Sequence, residues 1–328
     1  MRVAVVGLGA IGTRAARQLL STPDVEEVLV GDLRAARVTE VCEMLGPRAV
    51  AMPTEVLGQA VAGSVDVVIL ATEGPDQPRL AAELVSAGVN VVTTTDSVPA
   101  VRELLDLGPE AEVRGVTVAV GATFSPGLTC VLARLAADRL ETVEEIHVAR
   151  LGTAGPACAR QHHRGLAGTA IDWRDGGWQH RPAGSGRELN WFPDPIGAAD
   201  CYRAELPDAL LLVPAFQGVG WVTARLAATR RDRLTARLPM LRRPHPEAGL
   251  GAVRVEVQGQ GVDGLRIVVL GAMDRPGVAG GAVAALTAVE IGRGSALRVG
   301  AAGLAELVEP KAFLTELARR GVKAATFG

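Results

Sequence analysis

Lysine is almost missing from this chain. Lys311 and Lys323 are the only two among 34 basic residues, and arginine supplies the rest. Chemistry that needs a lysine amine is therefore confined to the C-terminal part or absent. Aromatic residues make up 3% of the 328, with a single tyrosine, Tyr202. Leu206 stands four residues beyond it, which excludes a Tyr-x-x-x-Lys acid pair of the short-chain reductase kind. The four cysteines, Cys42, Cys130, Cys158 and Cys201, show no CxxC pairing, so neither a metal site nor a redox pair is expected and the thiols are read as reduced. A formal net charge of -2 lacks the basic excess of a phosphate-backbone binder, and no nucleic acid partner is expected. No apolar run approaches the ~18 residues needed to cross a bilayer. Met1 leads at once into the strand-like Arg2–Val6 without a signal-peptide pattern, so the expected location is cytoplasmic with no membrane partner.

What is present, 48% apolar and 21% charged residues, fits a soluble globular protein. At roughly 150 residues per domain the length predicts two domains. Through the first 122 residues, β-branched runs alternate with helix-like runs, the pattern of βαβ units in a parallel sheet buried on both faces. Strands are predicted at Val3 to Val6, Glu27 to Gly31, Val65 to Ala71, Asn90 to Thr94 and Val116 to Val120, with a weaker one near Arg48 to Met52. Helices are predicted at Thr13 to Leu20, Arg79 to Ala87 and Val98 to Leu107. This is an α/β fold of the Rossmann type, a doubly wound parallel sheet. After Gly121, Ser125-Pro126 predicts a helix to about Leu140, with Ser as N-cap. Glu145 to Leu151, Leu211 to Phe216, Val219 to Arg225, Ala252 to Gln258 and Leu265 to Leu270 read as antiparallel strands of a second, α+β domain with a mixed or antiparallel sheet. Helices follow at Gly277 to Ile291 and Pro310 to Arg320.

Gly7-Leu-Gly9-Ala10-Ile11-Gly12 directly follows the first strand and directly precedes a helix, the setting the dinucleotide fingerprint requires. Gly7 makes the tight turn, Gly9 lets amides approach a pyrophosphate, and Gly12 permits close helix packing. Asp32, ending the second strand with Leu33 and Arg34 after it, supplies a carboxylate for the ribose hydroxyls. Asp32 would repel a 2'-phosphate, which favours NAD(H). Arg34 and Arg37 offer a phosphate clamp that keeps NADP(H) open. Ala71, Thr72 and Glu73, after the fourth strand, and Thr94, after the fifth, should border the cofactor crevice.

With this fingerprint, the segment Gly121-Ala-Thr-Phe-Ser125-Pro126-Gly127 and the ending Leu307 to Val322, the chain resembles the saccharopine dehydrogenase-like reductases over nearly its whole length. The resemblance implies NAD(P)-dependent oxidoreduction at a carbon bearing an amine or imine, in amino-acid or polyamine metabolism, and commonly a homodimer. It also implies C-terminal helices that return to the first domain. The boundaries are then 1–124 plus about 277–328 for the dinucleotide domain, and about 125–276 for the substrate and dimerisation domain. The sugar-type Gfo/Idh/MocA oxidoreductases carry Glu-Lys-Pro after the fifth strand, whereas Thr94-Thr-Asp-Ser-Val-Pro99 holds no lysine.

For the chemistry, Ser125, Pro126 and Gly127 are expected to set a helix end beside the nicotinamide, where free amides hold a substrate carboxylate. Arg160-Gln-His162-His163-Arg164, read as a loop, offers charge for an acidic small-molecule substrate and an imidazole near neutrality. An iminium accepts hydride without further protonation, whereas a ketone needs an acid. His162 or His163 is the expected acid, with Tyr202 next and Arg160 orienting substrate. Half of the aromatic residues fall between Trp173 and Tyr202, either as a substrate cover, a subunit contact or core filling. The basic run Arg230 to Arg243 reads first as a solvated face and second as an anionic-ligand contact. The competing reading is a nucleotide-binding regulatory or scaffolding protein without turnover.

Overall fold

A computed structural model gives the architecture and describes residues 1–54, 57–72, 76–240, 244 and 249–326. The chain opens β1 (Arg2–Val6), α1 (Ala10–Leu20), β2 (Glu27–Gly31), α2 (Ala35–Leu45), β3 (Ala49–Ala51), α3 (Leu57–Val61), β4 (Val67–Leu70) and α4 (Asp76–Ser86). β5 (Asn90–Thr93), α5 (Val98–Leu105), α6 (Gly108–Arg114) and β6 (Thr117–Ala119) follow. Valine and alanine dominate these strands, and outside the edge strand β3 all but their first residues are buried, because helices cover the sheet and leave no face for polar side chains. All pairings in this sheet are parallel, and with a seventh strand from the C-terminal part it forms a doubly wound layer in which β1 lies between β4 and β2.

Helix α7 (Leu128–Ala137) leads into β7 (Thr142–Leu151), α8 (Pro156–Gly165), β8 (Thr169–Arg174), β9 (Gly177–Pro182), β10 (Glu188–Phe192) and β11 (Gly197–Arg203). The chain continues through α9 (Asp208–Leu212), a 3-10 turn at Val213–Ala215, β12 (Trp221–Ala227), α10 (Arg230–Thr235), β13 (Gly251–Gly261) and β14 (Gly264–Asp274). These strands build a second, mixed sheet in which β12 runs parallel to β7 and the other pairings are antiparallel. α7 packs against it.

The chain then forms α11 (Pro276–Gly292), β15 (Gly300–Ala302), α12 (Leu304–Leu307), α13 (Pro310–Arg319) and β16 (Ala324–Thr326). Gly and Ala line α11, so it lies close along α1; a Cβ at Gly281 would come 2.6 Å from the Cβ of Arg14. β15 pairs with β6 as the seventh strand of the first sheet, whereas β16 pairs with β14 in the second. One continuous hydrophobic cluster runs through both layers, with a small satellite around Ala149, Phe192, Cys201 and Ala252.

Several expectations change. Ser125 caps no helix: α7 starts at Leu128 with Gly127 as N-cap, φ +118°, a conformation a side chain would strain. Leu211–Ala215 is helical rather than extended, and only Phe216 is extended, since an uninterrupted apolar run carries no period to decide between the two. The expected strand at Val219 to Arg225 is β12, shifted to Trp221–Ala227 and parallel to β7 rather than antiparallel. The His162 segment is the helix α8, not a loop.

Candidate functional site

The tight turn after β1 is held by close backbone contact. A Cβ on Gly7 (φ +93°) would lie 2.6 Å from the Ala71 carbonyl carbon, and one on Gly12 only 1.9 Å from the Gly7 oxygen. Gly9 is the N-cap of α1 and faces open space, with nothing within 4 Å of a Cβ placed there. The first amides of α1, at Ala10 and Ile11, have no preceding turn to bond and carry the positive end of the helix dipole. Asp32 stands beside them. Its Oδ2 accepts the Leu8 N–H at 2.8 Å, and its Oδ1 accepts the Arg34 N–H at 3.0 Å and Nε–H at 3.2 Å. Burial pushes this carboxyl up, but those hydrogen bonds outweigh it and hold it below the usual value. Arg37 is tied beneath the turn, donating to the Leu8 carbonyl and the Thr13 hydroxyl, so Arg34 alone of the two arginines lines the cleft.

From this turn a cleft of about 620 Å³ runs to a polar inner wall, within the size of small-molecule sites. Four side chains from three places in the chain meet there: Asp96 after β5, Arg150 near the end of β7, and Cys158 and His162 one turn apart on α8. His162 Nε2 lies 3.1 Å from Asp96 Oδ2 and 3.4 Å from Cys158 Sγ, and Sγ is 3.9 Å from the same carboxylate oxygen. Arg150 donates to the Ser125 carbonyl at 2.7 Å and to Asp96 Oδ2 at 3.4 Å. Burial pushes Asp96 up, yet the His162 hydrogen bond and the Arg150 charge bring it below the ordinary carboxylate value. Burial pulls His162 down, and the neighbouring Cys158 sulfur together with the Asp96 hydrogen bond carries it back above its ordinary value. Beneath this wall Asp208 is sealed from solvent, accepting from Ser125 Oγ at 3.2 Å and Thr129 Oγ1 at 3.1 Å. Burial raises its carboxyl.

Of the residues singled out from sequence, Gly9, Ala10, Ile11, Arg34, Ala71, Thr72, Thr94, Ser125 and His162 line this one cleft. Gly7, Gly12 and Asp32 frame it from behind, and Leu33 points to solvent, 95% exposed. Glu73 lies outside the described residues. Pro126 and Gly127 pack beneath the turn before α7 rather than lining the cleft. His163 is turned away, its Nε2–H directed at the Leu238 carbonyl at 2.9 Å. Tyr202 is buried in β11 under the Arg233 guanidinium, 4.3 Å from its ring centre, and cannot reach the cleft. Arg160, on α8, is not among the lining residues either. None of the clustered aromatics lines the cleft; all five lie on the strands β8 to β11. In the basic run, Arg230, Arg231 and Arg233 lie on α10, and Arg242 and Arg243 fall outside the described residues. Sequence reasoning missed Asp96, Arg150 and Cys158. The signal was the i, i+4 spacing of Cys158 and His162, visible only once α8 is taken as helical.

Residues 1–122 match the family described as "Oxidoreductase family, NAD-binding Rossmann fold", the Gfo/Idh/MocA family. The missing Glu-Lys-Pro therefore does not separate the nucleotide-binding part from that family. Among solved structures the fold is similar to saccharopine dehydrogenase (L-Glu forming) from Saccharomyces cerevisiae, at TM-score 0.72 and 15% identity over 100% of both chains. It is also similar to an amine dehydrogenase from Mycobacterium smegmatis, at TM-score 0.55 and 13% identity over 94% of this chain and 96% of that one. A DAP dehydrogenase of C. glutamicum in complex with DAP matches at TM-score 0.53 and 16% identity over 98% of both. The sequence resemblance to saccharopine dehydrogenase-like reductases is thus matched by a shared fold, and the first sheet is an NAD(P)-binding oxidoreductase fold.

Proposed function

We propose that the protein is an NAD(P)-dependent dehydrogenase or reductase acting on a small, anionic amino, imino or keto compound. One observation carries this reading: a single cleft joins the glycine turn at α1 to a buried wall of Asp96, Arg150, Cys158 and His162. Three of the solved neighbours are a saccharopine, an amine and a DAP dehydrogenase, which supports a substrate bearing nitrogen.

The residues present suit a dinucleotide, since Gly9 leaves room where a Cβ would otherwise stand and Asp32 Oδ2, which accepts the Leu8 N–H, has a second lone pair for a ribose hydroxyl. The amides of Ala10 and Ile11 would hold the pyrophosphate, and Asp32 the adenosine ribose. When bound, the group supplies a nicotinamide that exchanges hydride. Asp32 disfavours a 2'-phosphate and Arg34 is turned onto Asp32, so NAD(H) is the preferred form. Ser125 and Arg150 present polar groups to a substrate carboxylate. His162, steadied by Asp96, exchanges a proton with the keto oxygen or amine nitrogen. His163 and Tyr202 have no part in it. The dinucleotide part comprises 1–124 and about 277–328, with β16 alone lent to the other sheet, and the protein works as a cytoplasmic homodimer.

Fluorescence titration tests the first half: wild type binds NADH more tightly than NADPH, and Asp32→Ala loses at least about tenfold in NADH affinity, roughly 1.4 kcal/mol. Failure to bind either cofactor overturns the reading. A screen of amines and keto acids at the nicotinamide absorbance tests the second half, with His162→Ala slowed about 100-fold on keto substrates. Tight cofactor binding without turnover of any substrate would favour a regulatory protein instead.

A further inference from the structure

Cys158 and His162 project from one side of α8, and Asp96 reaches the same point from the end of β5. The meeting atoms are a thiol sulfur, an imidazole nitrogen and a carboxylate oxygen, each the metal-binding atom of its residue. Their mutual separations are 3.4 Å (Sγ to Nε2), 3.1 Å (Oδ2 to Nε2) and 3.9 Å (Sγ to Oδ2). Around tetrahedral Zn²⁺, bonds of about 2.0 Å to N or O and about 2.3 Å to S place neighbouring ligand atoms roughly 3.3 to 3.6 Å apart. The three protein atoms therefore already stand near the corners of one face of that tetrahedron. All three residues line the cleft, and among the described residues no further Cys, His or carboxylate joins them, which leaves a fourth position for water. A thiolate with imidazole and one carboxylate suits a borderline-soft ion and not Mg²⁺ or Ca²⁺, which take oxygen sets. The sequence shows only the i, i+4 pair of Cys158 and His162, because the third ligand lies 66 residues from His162.

We propose that Asp96, Cys158 and His162 bind one Zn²⁺ ion at the inner wall of the cleft. Binding releases the Cys158 thiol proton and any proton on His162 Nε2 to solvent, and forms one bond each from Sγ, Nε2 and a carboxylate oxygen to the ion. Arg150, 3.4 Å from Asp96 Oδ2, opposes the added positive charge and keeps the site weaker than a structural zinc centre, so the ion exchanges with solution. Zinc on Nε2 takes the nitrogen by which Asp96 steadies His162 and draws the imidazole out of the proton exchange assigned to it. Zinc occupancy and that role exclude each other, and Zn²⁺ acts as an inhibitor. This consequence rests on the proposed function, whereas binding of the ion does not.

The test uses the full-length protein stripped of metal with a chelator. ZnCl₂ is titrated in competition with a chromophoric chelator, and Co²⁺ is added separately to read the near-ultraviolet thiolate-to-cobalt band. Wild type is expected to take one ion and show the band. Cys158→Ser should abolish the band, and Cys158→Ser and His162→Ala should each weaken Zn²⁺ more than about 100-fold, beyond the 10- to 100-fold loss typical of a mere supporting partner. Cys42→Ser, on α2 away from the cleft, should change neither. Less than stoichiometric Zn²⁺, a wild-type protein without the cobalt band, or unchanged affinity in Cys158→Ser overturns the site. NADH titration of each variant reports whether its first domain is folded, and the wild-type cobalt band decides the matter should a variant fail to fold. Zinc binding without inhibition of a demonstrated turnover would sink the inhibitory role alone. Zinc binding in a protein that binds no dinucleotide would sink the proposed function and leave the metal site standing.

Discussion

Asp208 is a carboxylate whose two oxygens are treated unequally. Oδ1 receives the Ser125 and Thr129 hydroxyls, while Oδ2 is buried with no partner among the described residues. Burial penalises the charged form and raises its pKa, even though the Arg150 charge and both hydroxyls favour ionisation. A raised folded value means that the native state holds the proton to higher pH than the unfolded chain does. This group therefore stabilises the fold fully in acid below the unfolded value near 4, and its contribution is lost as pH rises through the folded value. Each unit of that upward shift removes about 1.4 kcal/mol at neutral pH. Asp208→Asn keeps an acceptor for both hydroxyls and carries no titration. The melting temperature of wild type should fall relative to the variant between about pH 4 and pH 7. Parallel curves across that range would show that Asp208 titrates alike in both states. No local pattern announces such a residue: only the fold places it under Ser125 and Thr129.

At the scale of the element, the junction of β1 and α1 separates folding from binding at two glycines. Gly12 has no room, since its Cβ would meet the Gly7 oxygen at 1.9 Å, whereas Gly9 has nothing within 4 Å. Gly12→Ala should cost about 1 to 3 kcal/mol in denaturant unfolding, as overpacking against backbone does. Gly9→Ala should cost less than about 1 kcal/mol, the difference between glycine and alanine at an N-cap, yet weaken NADH at least about tenfold. Equal stability loss in the two variants would contradict the geometry. This junction was legible because strand, turn, helix and acid follow one another within 32 residues. The strands of the first sheet were legible for a related reason: burial on both faces forces uninterrupted Val and Ala runs. β8 to β11 were not, because their exposed sides carry Arg, Glu, Gln and Trp that break any simple alternation. The inner wall of the cleft was legible only at His162. Asp96 and Arg150 are 54 residues apart, and neither has a neighbour in sequence that marks it.

On the scale of the whole molecule, the match to the oxidoreductase family ends at residue 122, but the sheet it describes does not. β15, nearly two hundred residues later, pairs with β6, and α11 covers α1. A fragment of residues 1–122 would leave the hydrogen-bonding edge of β6 unpaired and bare the apolar side of α1. Both are invitations to association. Such a fragment should elute from size-exclusion as aggregate and show little amide protection, and a monomeric fragment that melts cooperatively and binds NADH would refute this. β16 adds a complementary constraint, for the last described strand belongs to the sheet that the first 122 residues do not build. A chain emerging from the ribosome must therefore hold its opening half unfinished until the tail has been made. Its window of vulnerability to misassociation lasts from the completion of β6 until β15 and α11 have been made, more than half of the synthesis of these residues, so nascent-chain protection suits this topology.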